Sequence, residues 1–330
     1  MRCLKNGYGR SAIVMLLLWA AGAFGRDKII VFHAGSLAVP FAAMEKAFEK
    51  KFPDFDVVRE SAGSRECARK ITEIGKKADV MASADFAVID NLMIPDYAKF
   101  NARFAVNEMV LAYTDKSRFA SGINSTNWPD VLLRDGVKSG HSNPNLDPCG
   151  YRAVLTVKLA EKFYGRAGFY QRLMGYGESY ENGEENRKRM AVRPKETDLL
   201  ALLELGAIDY LFIYRSVASQ HGLKFVELPD QINLGNSTFS EVYKKASFRI
   251  SGKKPGEFIT KHGAPMVYGI TVVEHGKKLP ANRGGAMVFV HFVLCDEGQK
   301  IMRENGQPPI VPALVSGDDS ILAVKGPPEK

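Results

Sequence analysis

The chain has 330 residues, enough for one large domain or two ordinary ones. Its composition, 45% hydrophobic and 25% charged, is that of a soluble globular protein. The net charge of +8 comes from scattered Lys and Arg without interleaved aromatics, which argues against nucleic acid and leaves an anionic ligand or plain solubility as its meaning.

Residues 1–25 read as a secretory signal rather than as part of the fold. Arg2, Lys5 and Arg10 form a basic start, and Ala12–Phe24 is an apolar run shorter than the roughly 20 residues a bilayer span needs. Small residues around Gly25 offer a cleavage point, and export across the inner membrane is expected. No cysteine closes the apolar run, so a lipid anchor is not evident. Cys67, Cys149 and Cys295 remain in the mature chain, an odd number that leaves at least one thiol free unless it pairs between chains. No Cys or His spacing suggests zinc.

Lys28–Ala34, KIIVFHA, is a continuous apolar run and reads as a buried parallel strand. Gly35 and Ser36 break it, and Leu37–Phe52 carries helical periodicity up to Pro53. The pattern repeats. Asp56–Glu60 is a strand, Ser61–Ser64 a turn and Arg65–Gly75 a helix. Asp79–Ala82 is a third strand, with a helix from Phe86. This rhythm predicts an α/β sheet with ligands at the carboxyl ends of its strands. Farther on, Glu108–Tyr113, Asp209–Tyr214, Lys224–Leu228 and Met266–Val273 read as strands. Trp128–Leu133, Tyr151–Tyr164, Thr197–Leu205, Ser216–His221, Ala286–Leu294 and Glu297–Asn305 read as helices. Gly175–Arg189 and Ser237–Glu257 look polar and exposed, and the tail is loose from Gly317. The economical architecture is two α/β lobes with a ligand cleft between them. Lobe I comprises 26–110 and 267–330, lobe II comprises 111–266, and Glu108–Tyr113 and Met266–Val273 are the crossover strands.

Asn143–Arg152, NPNLDPCGYR, is dense in turn formers and empties into a helix. A helix N-terminus is a ready anion site, with Asp147 at its mouth. Gly35-Ser36 and Gly63-Ser64 are two further small-residue loops before helices, offering N–H and hydroxyl donors without cations. Each has a plainer reading. Asp147, Ser36 and Ser64 suit N-caps, Glu196 suits the first turn of a helix, and Tyr214 suits a strand core.

Taken together, VFHAGSL, SAGSRECARKI, ADVMASAD, EMVLAY, DPCGYRAVL and DYLFIYRSVA resemble the periplasmic molybdate/tungstate-binding proteins of ABC transporters, and most of all the tungstate/molybdate branch common in archaea. The resemblance covers most of residues 27–315. It implies a type II two-lobed binding fold and capture of tungstate or molybdate for a permease. It implies no catalysis and no cofactor, and a monomer is expected. The ligand positions it implies are Gly35, Ser36, Ser64, Asp147, Pro148, Cys149, Glu196 and Tyr214, with Asp147 and Glu196 reaching the metal itself.

The two carboxylates have a physical logic. Beside an oxyanion they repel it, unless their oxygens complete the coordination of its central atom. Mo(VI) and W(VI) are large enough to accept two more oxygens, and sulfur in sulfate is not. Two alternatives remain. One is a sulfate- or phosphate-type binder, which Arg65 or Arg152 on the anion would favour. The other is a secreted thiol hydrolase using Cys149, for which only His33 sits in a comparable loop.

Overall fold

The computed structural model describes residues 26–180, 186–254, 256–274 and 282–318. The expected signal, residues 1–25, lies outside the described residues, as do 181–185 of the charged excursion and 319–330 of the tail.

β1 (Asp27–Ala34) leads through a 3-10 turn, Gly35–Leu37, into α1 (Ala38–Lys51). β2 (Phe55–Ala62) leads into α2 (Ser64–Thr72), and β3 (Val80–Ser83) into α3 (Phe86–Leu92). The turn expected at Ser61–Ser64 shrinks to Gly63, because β2 stays paired with β1 as far as Ala62. β1 lies parallel between β2 and β3. Both its faces are covered. Ile29 and Val31 share a core with Phe41 and Phe48 of α1, while Phe32 joins Ile71 of α2 and Ile89 of α3. A strand buried on both faces has no reason to alternate, and KIIVFHA does not.

In β4 (Phe100–Val106) apolar Phe100, Ala102 and Phe104 alternate with polar Asn101 and Arg103, a short period-two pattern. The structure seats both. Asn101 Nδ2 donates to Phe86 O at 2.9 Å and Asp90 Oδ1 at 2.8 Å, and the Arg103 guanidinium stacks 3.9 Å from the Phe86 ring centre.

The second sheet begins at β5 (Met109–Tyr113). α4 (Trp128–Leu132), β6 (Ser139–Ser142), α5 (Pro148–Phe163), α6 (Phe169–Leu173) and β7 (Met190–Arg193) follow. After a 3-10 turn, Glu196–Leu199, come α7 (Leu200–Glu204), β8 (Tyr210–Tyr214), α8 (Arg215–Gln220) and β9 (Lys224–Glu227). The strand order is β7-β6-β8-β5-β9, with β6 parallel to β7 and β8, and β5 antiparallel to its neighbours. β6 reads SGHS and is wholly buried without a large apolar side chain, so hydropathy could not reveal it. The excursion expected to be exposed is partly core. Tyr176 is buried, its hydroxyl 2.7 Å from His141 Nε2 and its ring 5.2 Å from that of buried Tyr180.

The polar stretch Ser237–Glu257 is likewise structured. α9 (Ser240–Tyr243) and β10 (Ser247–Ser251) bury Tyr243, Phe248 and Ile250, and β10 pairs antiparallel with β11 (Phe258–His262). β12 (Val267–Val272), α10 (Arg283–Leu294), α11 (Asp296–Glu304) and β13 (Pro309–Gly317) then complete the first sheet, in the order β13-β4-β12-β3-β1-β2. The chain passes to the second sheet through Asn107–Glu108, at the head of β5. It returns through residues 263–266, at the head of β12. Among the described residues no helix is long and apolar enough to cross a membrane.

Candidate ligand-binding site

The carboxyl ends of β1, β2 and β3 meet those of β6, β7 and β8 across the cleft. Backbone contact is close. A Cβ on Gly35 would stand 2.9 Å from both carboxylate oxygens of Glu196, and one on Gly63 would stand 2.5 Å from Leu146 O. At Gly63 the obstructing atoms are backbone, so only glycine admits the approach; at Gly35 they are the end of the Glu196 side chain. Around them, Glu66 N donates to Leu146 O at 3.1 Å, and Arg65 Nε to Asn145 O at 3.0 Å.

Three buried hydroxyls from different elements line this junction, and each already accepts a hydrogen bond from the protein. Ser64 Oγ accepts from Ala84 N at 3.0 Å. Tyr214 OH accepts from Arg152 Nη1 at 2.9 Å. Ser36 Oγ accepts from Tyr268 OH at 3.0 Å. A hydroxyl has one proton to give, so with their lone pairs engaged these three are set to donate. Burial pushes the Tyr214 phenol well above its ordinary value, so it stays protonated. Neutral donors of this kind suit an oxyanion.

The carboxylates differ. Asp147 caps α5, with Oδ1 accepting from Cys149 N at 3.2 Å, and its Oδ2 accepts from Glu196 N at 3.1 Å. The plain N-cap reading is therefore correct, but it occupies one oxygen only. Glu196 is 1% exposed; among the described residues no N–H or hydroxyl donates to its carboxylate, and its side-chain neighbour is the Asp147 carboxyl, with which it shares a hydrogen bond when one of the two is protonated. Burial, then the neighbouring charge of Asp147, holds Glu196 well above the usual carboxylate range. Burial also raises Asp147, against the hydrogen bonds it accepts. Without ligand, Glu196 avoids the cost of a buried charge by keeping its proton beside Asp147, and a positive centre that displaced this proton would find two carboxylates to receive it.

The two arginines that would mark a sulfate- or phosphate-type site are engaged by protein oxygens. Arg65 also donates to Ser251 O through Nη2, and Arg152 Nη1 donates to Ala84 O at 2.7 Å besides Tyr214. Burial pulls Arg65 down to about 10, still cationic at neutral pH.

Cys149 sits in the site only through its backbone. Its Sγ turns to Phe212 O at 3.7 Å, and burial lifts the thiol well above its ordinary value. His33 is buried against Ala34 O and pushed down to about 4. A protonated thiol with no base is not a nucleophile, so the thiol-hydrolase alternative finds no support here. Pro148 opens α5 and has no N–H to offer a ligand.

The chain belongs to the bacterial extracellular solute-binding protein family, whose profile matches residues 29–307. An uncharacterized solute-binding protein of Petrotoga mobilis is 49% identical over 94% of this chain and 93% of its own length. The molybdate/tungstate-binding protein WtpA of Pyrococcus abyssi is 40% identical over 93% of each chain. Among solved structures, the periplasmic molybdate-binding protein of Azotobacter vinelandii superposes with a TM-score of 0.60 at 16% identity, covering 84% of this chain and 98% of that one. The sulfate-binding protein SubI of Mycobacterium tuberculosis gives 0.59 at 15%, covering 90% of each. The type II periplasmic binding fold is common to these two structures and this chain.

Several residues of this solute-binding protein's cleft have roles that the sequence does not mark, Asp85 at the end of ADVMASAD among them. Asp85 caps α3 and meets three groups from the other lobe: Tyr151 OH, Lys261 Nζ at 2.9 Å and Arg152 Nη2 at 3.9 Å. Burial works the other way, yet Lys261 and Arg152 hold Asp85 below the usual carboxylate range. Tyr268 was visible only as part of a buried strand. Its one available signal is that a buried tyrosine hydroxyl needs a partner.

Proposed function

We propose that this protein captures tungstate or molybdate outside the cytoplasmic membrane and passes it to an ABC permease. The observation that carries the reading is Glu196, a buried carboxylate with both oxygens free of donors, beside Asp147 and three hydroxyl donors. An oxyanion of a six-coordinating metal satisfies both halves of this arrangement. Its oxo groups take the protons of Ser36, Ser64 and Tyr214, with Gly35, Pro148 and Cys149 supplying close backbone walls. Its metal centre takes oxygens from Asp147 and Glu196. In this reading residues 1–25 direct export and are removed. Lobe I is 26–110 with 267–330, lobe II is 111–266, and the protein acts as a monomer without a cofactor. The named functions of the WtpA relatives agree with it.

A protonated phosphate is the nearest competitor, because its P–OH could donate to one Glu196 oxygen. It leaves the other unsatisfied, as sulfate leaves both. Calorimetry with tungstate, molybdate, sulfate and phosphate on the native protein and on Glu196→Gln decides between them. Tungstate and molybdate should bind, and Glu196→Gln should weaken tungstate roughly tenfold or more, about 1.4 kcal/mol. X-ray absorption at the tungsten edge should report six oxygens. A four-oxygen shell, or tighter binding of sulfate or phosphate than of tungstate, defeats the reading.

A further inference from the structure

We infer that Asn107 and Tyr268 are positioning residues that fix the direction of the Ser36 hydroxyl, relaying the pivot between the lobes to the ligand. The inference rests on the reading of Ser36 as a ligand donor.

Asn107 lies in the connection where the chain leaves the first sheet for the second, and it is 5% exposed. Its Oδ1 accepts from Glu108 N at 3.0 Å, which fixes the amide's orientation. Its Nδ2 then has two protons to place. One goes to Ser216 Oγ at 2.7 Å, in α8 beside the second sheet, and the other to Tyr268 OH at 2.9 Å, in β12 of the first. An amide nitrogen can only donate, so Tyr268 OH must accept there. Its single proton goes to Ser36 Oγ at 3.0 Å, with the Gln307 side chain, whose Nε2 is held by Ser36 O, as the further polar neighbour of the phenol. Ser36 therefore cannot donate back, and its own proton points elsewhere. The Ser36 backbone is held too, since Gln307 Nε2 donates to Ser36 O at 2.7 Å.

Every group in this chain is buried, so no water competes for these protons. A serine free to rotate would spend its hydroxyl on several acceptors in turn. Here the polarity is set by Asn107. The same amide ties Tyr268 of one lobe to Ser216 of the other at the crossing point, so a shift at the pivot alters the orientation of a ligand donor.

The polarity argument gives its own test. Tyr268→Phe removes only the hydroxyl that donates to Ser36. Tungstate affinity by calorimetry should fall about fivefold, the usual worth of one net hydrogen bond. In a Ser36→Ala background the same substitution should change affinity less than twofold, because there is no hydroxyl left to orient. A merely structural role for Tyr268 predicts equal losses in both backgrounds, and that result overturns the inference. Asn107→Asp keeps the shape but can only accept. It should draw the Tyr268 proton away from Ser36 and weaken tungstate binding at least as much as Tyr268→Phe. Unchanged affinity in Asn107→Asp also overturns it. If Ser36→Ala alone binds tungstate as the native protein does, the ligand role of Ser36 fails first, a result distinct from either of these.

Discussion

Glu196 concentrates the chemistry at the scale of single residues. In the absence of ligand, burial and the charge of Asp147 raise its proton affinity. A carboxyl so raised keeps its proton in the folded state at a pH where the unfolded chain has lost it. Stability must then fall as pH rises from the ordinary carboxyl range toward the raised value. Asp85 has the opposite sign, since its lowered value gives stability that is lost only as pH falls below the ordinary range. Above about pH 5 Asp85 stays ionised, but buried His33, pushed down to about 4, adds stability that rises with pH up to its ordinary value, so the raised pair is read from the difference between the native protein and Glu196→Gln. As pH rises from about 5, the melting temperature of the ligand-free native protein should fall relative to that of Glu196→Gln, in which the His33 contribution is the same. Parallel curves for the two proteins would show that Glu196 titrates normally. Tungstate affinity should weaken with acid from a higher pH than a reference carboxylate would suggest, because a protonated Glu196 is a poor metal ligand.

The β10–β11 hairpin is the element that most changes meaning once folded. Read as a polar surface stretch, it is a strap across the cleft. Ser251 O and Oγ accept from Arg65 and Arg69, Ser251 N donates to Asn145 Oδ1 at 2.9 Å, and Lys261 reaches Asp85. Asp85 is buried, so removing a cationic partner leaves its charge less compensated, at a cost of about 1–3 kcal/mol. Lys261→Met keeps the unbranched stem and removes the ammonium, which stands 5.2 Å from the centre of the Tyr151 ring. Tungstate should dissociate about fivefold faster from this variant in stopped-flow measurements. An unchanged dissociation rate would mean that the strap does not hold the lobes together.

For the whole molecule the question is closure. The two lobes touch through Gly63 and the 143–147 loop, and the atoms nearest a Cβ at Gly63 are Leu146 O, Leu146 C and Asp147 Cβ, all of the opposite lobe. Gly63→Ala should therefore spare lobe I and obstruct the approach of the lobes. Small-angle scattering of the native protein should show a smaller radius of gyration with saturating tungstate than without. The alanine variant should contract less and bind more weakly, with its ligand-free melting temperature close to native. Full contraction of Gly63→Ala would show that this backbone contact is not what limits closure.

Much of this protein is written in local pattern. KIIVFHA and DYLFIY declare themselves as strands because burial on both faces removes polar residues from a continuous run. Gly35, Ser36, Gly63, Ser64 and the 143–150 loop mark strand-to-helix turns by their small and turn-forming residues. The family motifs they carry brought Asp147, Glu196 and Tyr214 to attention. Other elements had no such mark. β6 is too polar, and the buried tyrosines 176 and 243 lie in polar stretches. Nor could the chain's order show that one oxygen of Asp147 caps α5 while the other holds Glu196 N, or that Glu196 ends without a donor. Those facts depend on partners far apart in sequence: Asp147 and Glu196 are 49 positions apart, Ser36 and Tyr268 232. Periodicity reports which face of a segment is buried. Which donor meets which acceptor is set only when two sheets and their crossing segments are brought together, because a hydrogen bond's direction depends on every other bond its two atoms already make.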